Sequence, residues 1–184
     1  MSEYPNVGSG LRLMFTARIG VIACMVAALI PVIRIFAVIG ALVFFVLDLV
    51  GLHRAGRDLP GCQNAFWLSI ISLVIGLFKN TPGFLGTVLN FATDILSLVV
   101  VYFVISSVNE VLQEIGYGDI ARTGSMVWKI QLTCFIVGTV LSILVWVSVL
   151  DILAILTAFG ILILTCIEGI LFLYYLYKSY MALE

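Results

Sequence analysis

The chain has 184 residues, 63% of them hydrophobic and 10% charged, with a net charge of −1. A soluble domain carries about 25% charged residues, so a mean hydropathy of +1.25 excludes a water-soluble globule and makes a bilayer the solvent. The near-neutral balance, with no basic run and no acidic tail, also excludes a nucleic-acid binder.

Six apolar stretches follow one another. The first, 11–30, lacks a small-residue cleavage site and is long for a signal peptide, so it reads as a span. Pro31 breaks it, and the second runs over 33–53. The third, 65–79, is short against the roughly 17–25 residues of a span. It either begins earlier, at Gln63, or tilts in a thinned bilayer; a re-entrant segment with five spans is the alternative. Asn80-Thr81-Pro82-Gly83 is a turn signal. The fourth stretch is 84–105, the fifth 126–147 and the sixth 150–177.

Tight connections follow the first, third and fifth stretches, and long polar ones follow the second and fourth. Tight turns force antiparallel neighbours. The expected fold is therefore an all-α membrane bundle of six transmembrane helices in three antiparallel hairpins, about 11–53, 65–105 and 126–177, within one domain over 1–184. Leu52-His53-Arg54-Ala55-Gly56 before Trp67 matches Leu112-Gln113-Glu114-Ile115-Gly116 before Trp128, at offsets of 60 and 61 residues. That weak repeat suggests related hairpins around a pseudo-threefold axis.

Arg12, Arg54, Arg57, Arg122, Lys129 and Lys178 flank the long-loop side, whereas Arg34 and Lys79 flank the other. The excess of Lys and Arg predicts that both termini are cytoplasmic. Tyr174, Tyr175, Tyr177, Tyr180, Trp67 and Trp128 suit an aromatic belt at that interface. Over 106–125, Val108, Val111, Leu112 and Ile115 recur at helical spacing among polar residues, giving an amphipathic cytoplasmic extension of the fourth helix. Gly116 is its natural C-cap, and Thr123-Gly124-Ser125 offers an N-cap for the fifth helix.

Ile115-Gly116-Tyr117-Gly118-Asp119 resembles a potassium-channel filter over five residues. Glu114 stands where the filter has Thr, and the cytoplasmic flanks put the string on the wrong side, so helix capping is the better reading. Ala23/Ala27 and Ala37/Ala41 form small-xxx-small pairs that permit close packing of the first two helices.

Three carboxylates fall inside apolar stretches: Asp48, Asp94 and Glu168. Each is costly in hydrocarbon unless paired, protonated or wetted. At 1.5 Å per residue, Arg18 lies roughly 10 Å from the cytoplasmic edge and Asp48 roughly 7–8 Å, so an ion pair between them needs no function. Asp94 and Glu168 come out roughly 13–15 Å deep, where no basic residue is expected. Thr93, Ser97, Thr157 and Thr165 are the nearby hydroxyls. If the even-numbered helices surround one axis, all three acids stack along a proton or cation pathway.

Four cysteines form no CxxC pair, and three of them, Cys24, Cys134 and Cys166, lie in apolar stretches, while Cys62 falls in a polar loop. With the single His53 at an interface, neither a metal site nor a Cys–His or Ser–His couple can be assembled. No hydrolase elbow, zinc-protease motif or phosphate loop occurs, so no catalytic residue and no cofactor is expected.

The strings LMFTARIG, LIPVI, DLVGLHRAG and CQNAFWLSII, with the later VLQEIGYGDIARTGSMVWKI, resemble a type of small bacterial polytopic membrane protein of unassigned activity. The resemblance supports six helices and brings no assigned activity with it; the expected location is a bacterial cytoplasmic membrane. Two functional readings stay open: a transport or permeation protein using Asp94 and Glu168, and a structural or accessory subunit. The expected partners are the lipid bilayer and either further copies of the chain or a larger membrane complex.

Overall fold

The computed structural model describes residues 4–78, 84–147 and 151–183. In order, these form α1 (Pro5–Ala27), a 3-10 turn (Pro31–Ile33), α2 (Arg34–Ala55), α3 (Pro60–Phe78), α4 (Phe84–Glu114), α5 (Gly118–Val147) and α6 (Asp151–Leu183). All six α-helices are long and apolar enough to cross a membrane, as an integral membrane protein requires, and the described residues contain no strand. The third stretch is thus a helix of spanning length. The turn at 80–83 lies outside the described residues.

At the end that holds the chain termini the helices extend beyond the apolar stretches: α1, α3 and α5 begin earlier, and α4 and α6 run on to Glu114 and Leu183. Pro60 opens α3, its fixed φ and missing N–H suiting a first-turn position, so the polar segment 60–64 is helix and Cys62 is fully buried within it. Pro5 likewise opens α1. Tyr4 offers this helix no side-chain cap, but Asp58, from the connection after α2, accepts from the Asn6 backbone N–H at 3.0 Å and from Asn6 Nδ2 at 2.9 Å. A carboxylate there satisfies orphan donors and meets the positive end of the helix dipole. The long loops of the sequence reading therefore shrink to 56–59 and 115–117.

The second of these is a Schellman turn. Gly116 has φ +88° and its N–H donates to Gln113 O at 3.2 Å, while the Tyr117 N–H reaches Leu112 O at 2.7 Å. The filter-like string is this turn. Gly56, its counterpart in the apparent repeat, keeps φ −66°, so the two segments end differently. Thr123, Gly124 and Ser125 lie inside α5 and cap nothing. The Thr123 and Ser125 hydroxyls donate back to the Asp119 and Ala121 carbonyls instead.

Each helix packs on the next in chain order, α6 returns to α1, and α4 also meets α6. The buried core lies in the half that holds the chain ends: Leu11 and Met14 of α1, Leu52 of α2, Cys62 of α3, Leu112 of α4 and Tyr175 of α6 belong to it. Towards the other end the helices expose apolar side chains, with Leu29 81%, Val32 85% and Phe84 84% exposed. The bundle is close-packed at one end and open at the other. At 31 residues, α4 is about 46 Å long, more than the roughly 30 Å of a bilayer's hydrocarbon.

In lipid, apolar burial gives helices little reason to associate, so close packing and hydrogen bonds set their contacts. Glycines provide the closest approach between α1 and α2: a Cβ at Gly10 would stand 2.7 Å from Gly51 O and 2.8 Å from Ala55 N. Gly20 seats the Phe44 ring. Of the alanines expected at this seam, Ala37 is buried but Ala23 is exposed. Tyr175, placed by sequence in an aromatic belt, is fully buried, whereas Tyr174 and Tyr177 are exposed. Its hydroxyl donates to Asn109 Oδ1 at 2.8 Å, and Asn109 Nδ2 reaches Ser125 Oγ at 3.4 Å. This junction ties α4, α5 and α6 together at the packed end.

Candidate functional site

A cavity of about 940 Å³ lies among α4, α5 and α6. Helical spacing builds its α4 wall: Thr87, Asn90, Asp94 and Ser97 recur every three or four residues and share a face. On α5 the same spacing presents Gln131, Phe135 and Gly138, and on α6 Ile161, Thr165 and Glu168. Asp94 and Glu168 therefore face one space from two helices. The pocket extends from Phe84, at the open end, to the Gln131–Glu168 pair. The Tyr175–Asn109–Ser125 junction lies further along the same helices, towards the packed end.

Glu168 Oε1 accepts a short hydrogen bond from Gln131 Nε2. The hydroxyls near the acids serve their own helices: Thr93 donates to Leu89 O, Ser97 to Thr93 O and Thr165 to Ile161 O, at 2.8–2.9 Å. Such back-bonding is the cheapest way for a hydroxyl to remain satisfied in an apolar helix. Gln131 is the residue that sequence reasoning missed. Its signal was available as an uncharged amide in the apolar fifth stretch, seven residues before Gly138.

Asp48 stands apart from this cavity. It faces Arg18 of α1, with Nε to Oδ1 at 3.7 Å, and the two side chains are 33% and 22% exposed, Arg18 first. Arg18 also sits over the Phe172 ring, 4.5 Å from its centroid. Phe172 is one turn beyond Glu168 on α6, and the Arg18 charge reaches Glu168 electrostatically. Glu168 thus has a cation within electrostatic range that depth arithmetic along separate helices did not show. Among the described residues, Asp94 and Glu168 line this cavity and Asp48 does not.

Among the described residues, no three His, Cys, Asp or Glu side chains gather to hold a metal ion. His53 is exposed and lies 5.1 Å from the Phe66 ring. Comparisons with protein-family models, curated proteins and solved structures gave no match.

Proposed function

We propose that this chain is a small transport or permeation protein of a bacterial cytoplasmic membrane, with protons or cations entering the α4–α5–α6 cavity and meeting Asp94 and Glu168. One observation carries the reading: both acids line a common cavity with polar neighbours, rather than lying against small-residue helix seams. Carboxylates inside a membrane are expensive, and a water-accessible cavity is where they are tolerated and used. The ring of helices reads as three antiparallel hairpins in a single domain, with both termini cytoplasmic. Arg12, Arg54, Arg122, Lys129 and Lys178 belong to the helix portions near the packed end and Arg57 to the 56–59 connection there, which fits the positive-inside rule. No catalytic residue or cofactor is part of this reading.

The test is cation or proton flux into proteoliposomes, with Asp94→Asn and Glu168→Gln as variants. The expected result is flux that either substitution reduces strongly. Flux that survives both substitutions would sink the acid pathway.

A second reading, an accessory subunit that packs on its own copies or on a larger complex, draws on the open half, where Leu29, Val32 and Phe84 are more than four-fifths exposed. Folded protein that shows no flux, and that migrates as a defined oligomer, favours it.

A further inference from the structure

Among the described residues, Asp94 and Glu168 bring carboxylates to the cavity and no Lys, Arg or His lines it. Asn90 directs Nδ2 to Gly86 O of its own helix at 3.0 Å. Ser97 and Thr165 commit their hydroxyl protons to backbone carbonyls and leave lone pairs over. Gln131 is only 7% exposed, and its Nε2 is engaged by Glu168. Among the described residues its Oε1 is buried without a hydrogen-bond partner. A buried orphan acceptor costs about 1–3 kcal/mol, so a small turn of this cavity-lining side chain towards a donor in the cavity is favourable. The rest of the wall carries Thr87, Asn90, Cys134 and Thr139 beside apolar and aromatic side chains, with Phe91 and Phe135 stacked at 6.1 Å between centroids.

The volume narrows the class of donor. A site for one dehydrated ion needs little more than the roughly 30 Å³ of a water molecule. This cavity, at about 940 Å³, lies in the range of about 300–1,000 Å³ typical of small-molecule pockets.

We propose that the α4–α5–α6 cavity binds an organic ammonium cation, a protonated amine with an apolar or aromatic body. Its N–H groups are shared among Glu168, Gln131 Oε1 and Asp94, and its body lies against Phe91 and Phe135. The positive charge neutralises the intramembrane carboxylates, the N–H donors satisfy the acceptors, and the aromatic faces suit a cation's apolar flank. The inference rests on the reading that this cavity is the working site, and it names the substrate class.

The test is equilibrium binding of radiolabelled phenylbutylammonium to the full-length protein in zwitterionic lipid nanodiscs, with empty nanodiscs subtracted. Competitors are the trimethylated analogue, which keeps the charge but has no N–H, together with phenylbutanol and phenylbutyrate. Saturable binding of the ammonium is expected, with the trimethylated analogue weaker by at least about tenfold, since hydrogen bonds to charged groups contribute about 1.5–3 kcal/mol. The alcohol competes weakly and the anion not at all.

Gln131→Leu weakens binding by about tenfold for the same reason. Among the described residues a Cβ at Gly138 meets no atom within 4 Å, so Gly138→Trp fills the cavity from its wall, and it abolishes binding. Unchanged helicity and elution volume certify the fold of each variant. Equal competition by alcohol and ammonium means that the cavity holds apolar chains without recognising the cation, and it overturns the proposal. Binding that Gly138→Trp leaves intact does the same. Ammonium binding without flux refutes permeation and leaves the binding site standing. Flux lost in Asp94→Asn and Glu168→Gln, without ammonium binding, refutes the organic cation alone.

Discussion

Replacing Tyr175 by Phe isolates one hydrogen bond at the packed end. The ring is fully buried, and phenylalanine keeps its apolar volume, so no cavity opens. What disappears is the hydroxyl that donates to Asn109 Oδ1 at 2.8 Å. Its contact with Ile105 O, at 3.4 Å, is too long to add much. Asn109 is 8% exposed and keeps only its long Nδ2 contact to Ser125, so its carbonyl is left buried. An orphaned buried acceptor costs about 1–3 kcal/mol in proteins generally. Double-mutant cycles inside membranes average about 0.6 and reach about 1.7 kcal/mol, because the unfolded chain in lipid also finds partners. The expected loss for Tyr175→Phe is therefore about 1–2 kcal/mol, below the roughly 3–5 kcal/mol of an aromatic-to-alanine core substitution. Reversible unfolding in bicelles, run as a cycle with Asn109→Ala, measures both the loss and the coupling. A coupling energy within about 0.3 kcal/mol of zero, the scatter of independent sites, would refute the claim that this bond joins α4 to α6.

Two further outcomes follow from the packing. Gly10→Val forces a Cβ against the Gly51 and Ala55 backbones and is expected to destabilise by about 1–3 kcal/mol. Gly76→Ala, where a Cβ meets nothing within 4 Å, should be neutral or gain about 0.5–1 kcal/mol from helix propensity; the same unfolding assay compares them, and equal costs would contradict the seam. Asp48→Asn leaves Arg18 without its carboxylate. Both side chains are partly exposed, so the loss should fall between about 1 kcal/mol for surface pairs and about 3–5 kcal/mol for buried ones. The double variant Arg18→Met/Asp48→Leu should recover most of it, and a double variant less stable than Asp48→Asn would show that the pair contributes net stability.

Six helices were legible because 20-residue apolar runs have few other solutions in a bilayer: every backbone polar group must be satisfied within the segment. The ends were less legible. Segments 60–64 and 118–125 are polar enough to pass for loop, yet they are helix, because their N–H and carbonyl groups lie near the packed end of the bundle, where polar residues are cheap. At Gly116, by contrast, the turn was readable, since a glycine ending an amphipathic run is the residue that takes positive φ without strain. Thr123-Gly124-Ser125 misled because a hydroxyl can cap a helix or bond back to the preceding turn, and the sequence does not distinguish the two.

The sequence by itself determined the solvent, the helices and the three acids worth examining. It could not decide which faces meet. In water an apolar stripe announces the buried side, but here apolar residues surround every helix, so lipid-facing and protein-facing positions look alike. Only the tertiary structure brought Asp94 and Glu168 to one cavity and gave Glu168 its partner in Gln131. Asp94 and Glu168 come from α4 and α6, whereas Gln131 and Glu168 belong to successive helices; glycine seams and a few hydrogen bonds select these faces, not hydropathy.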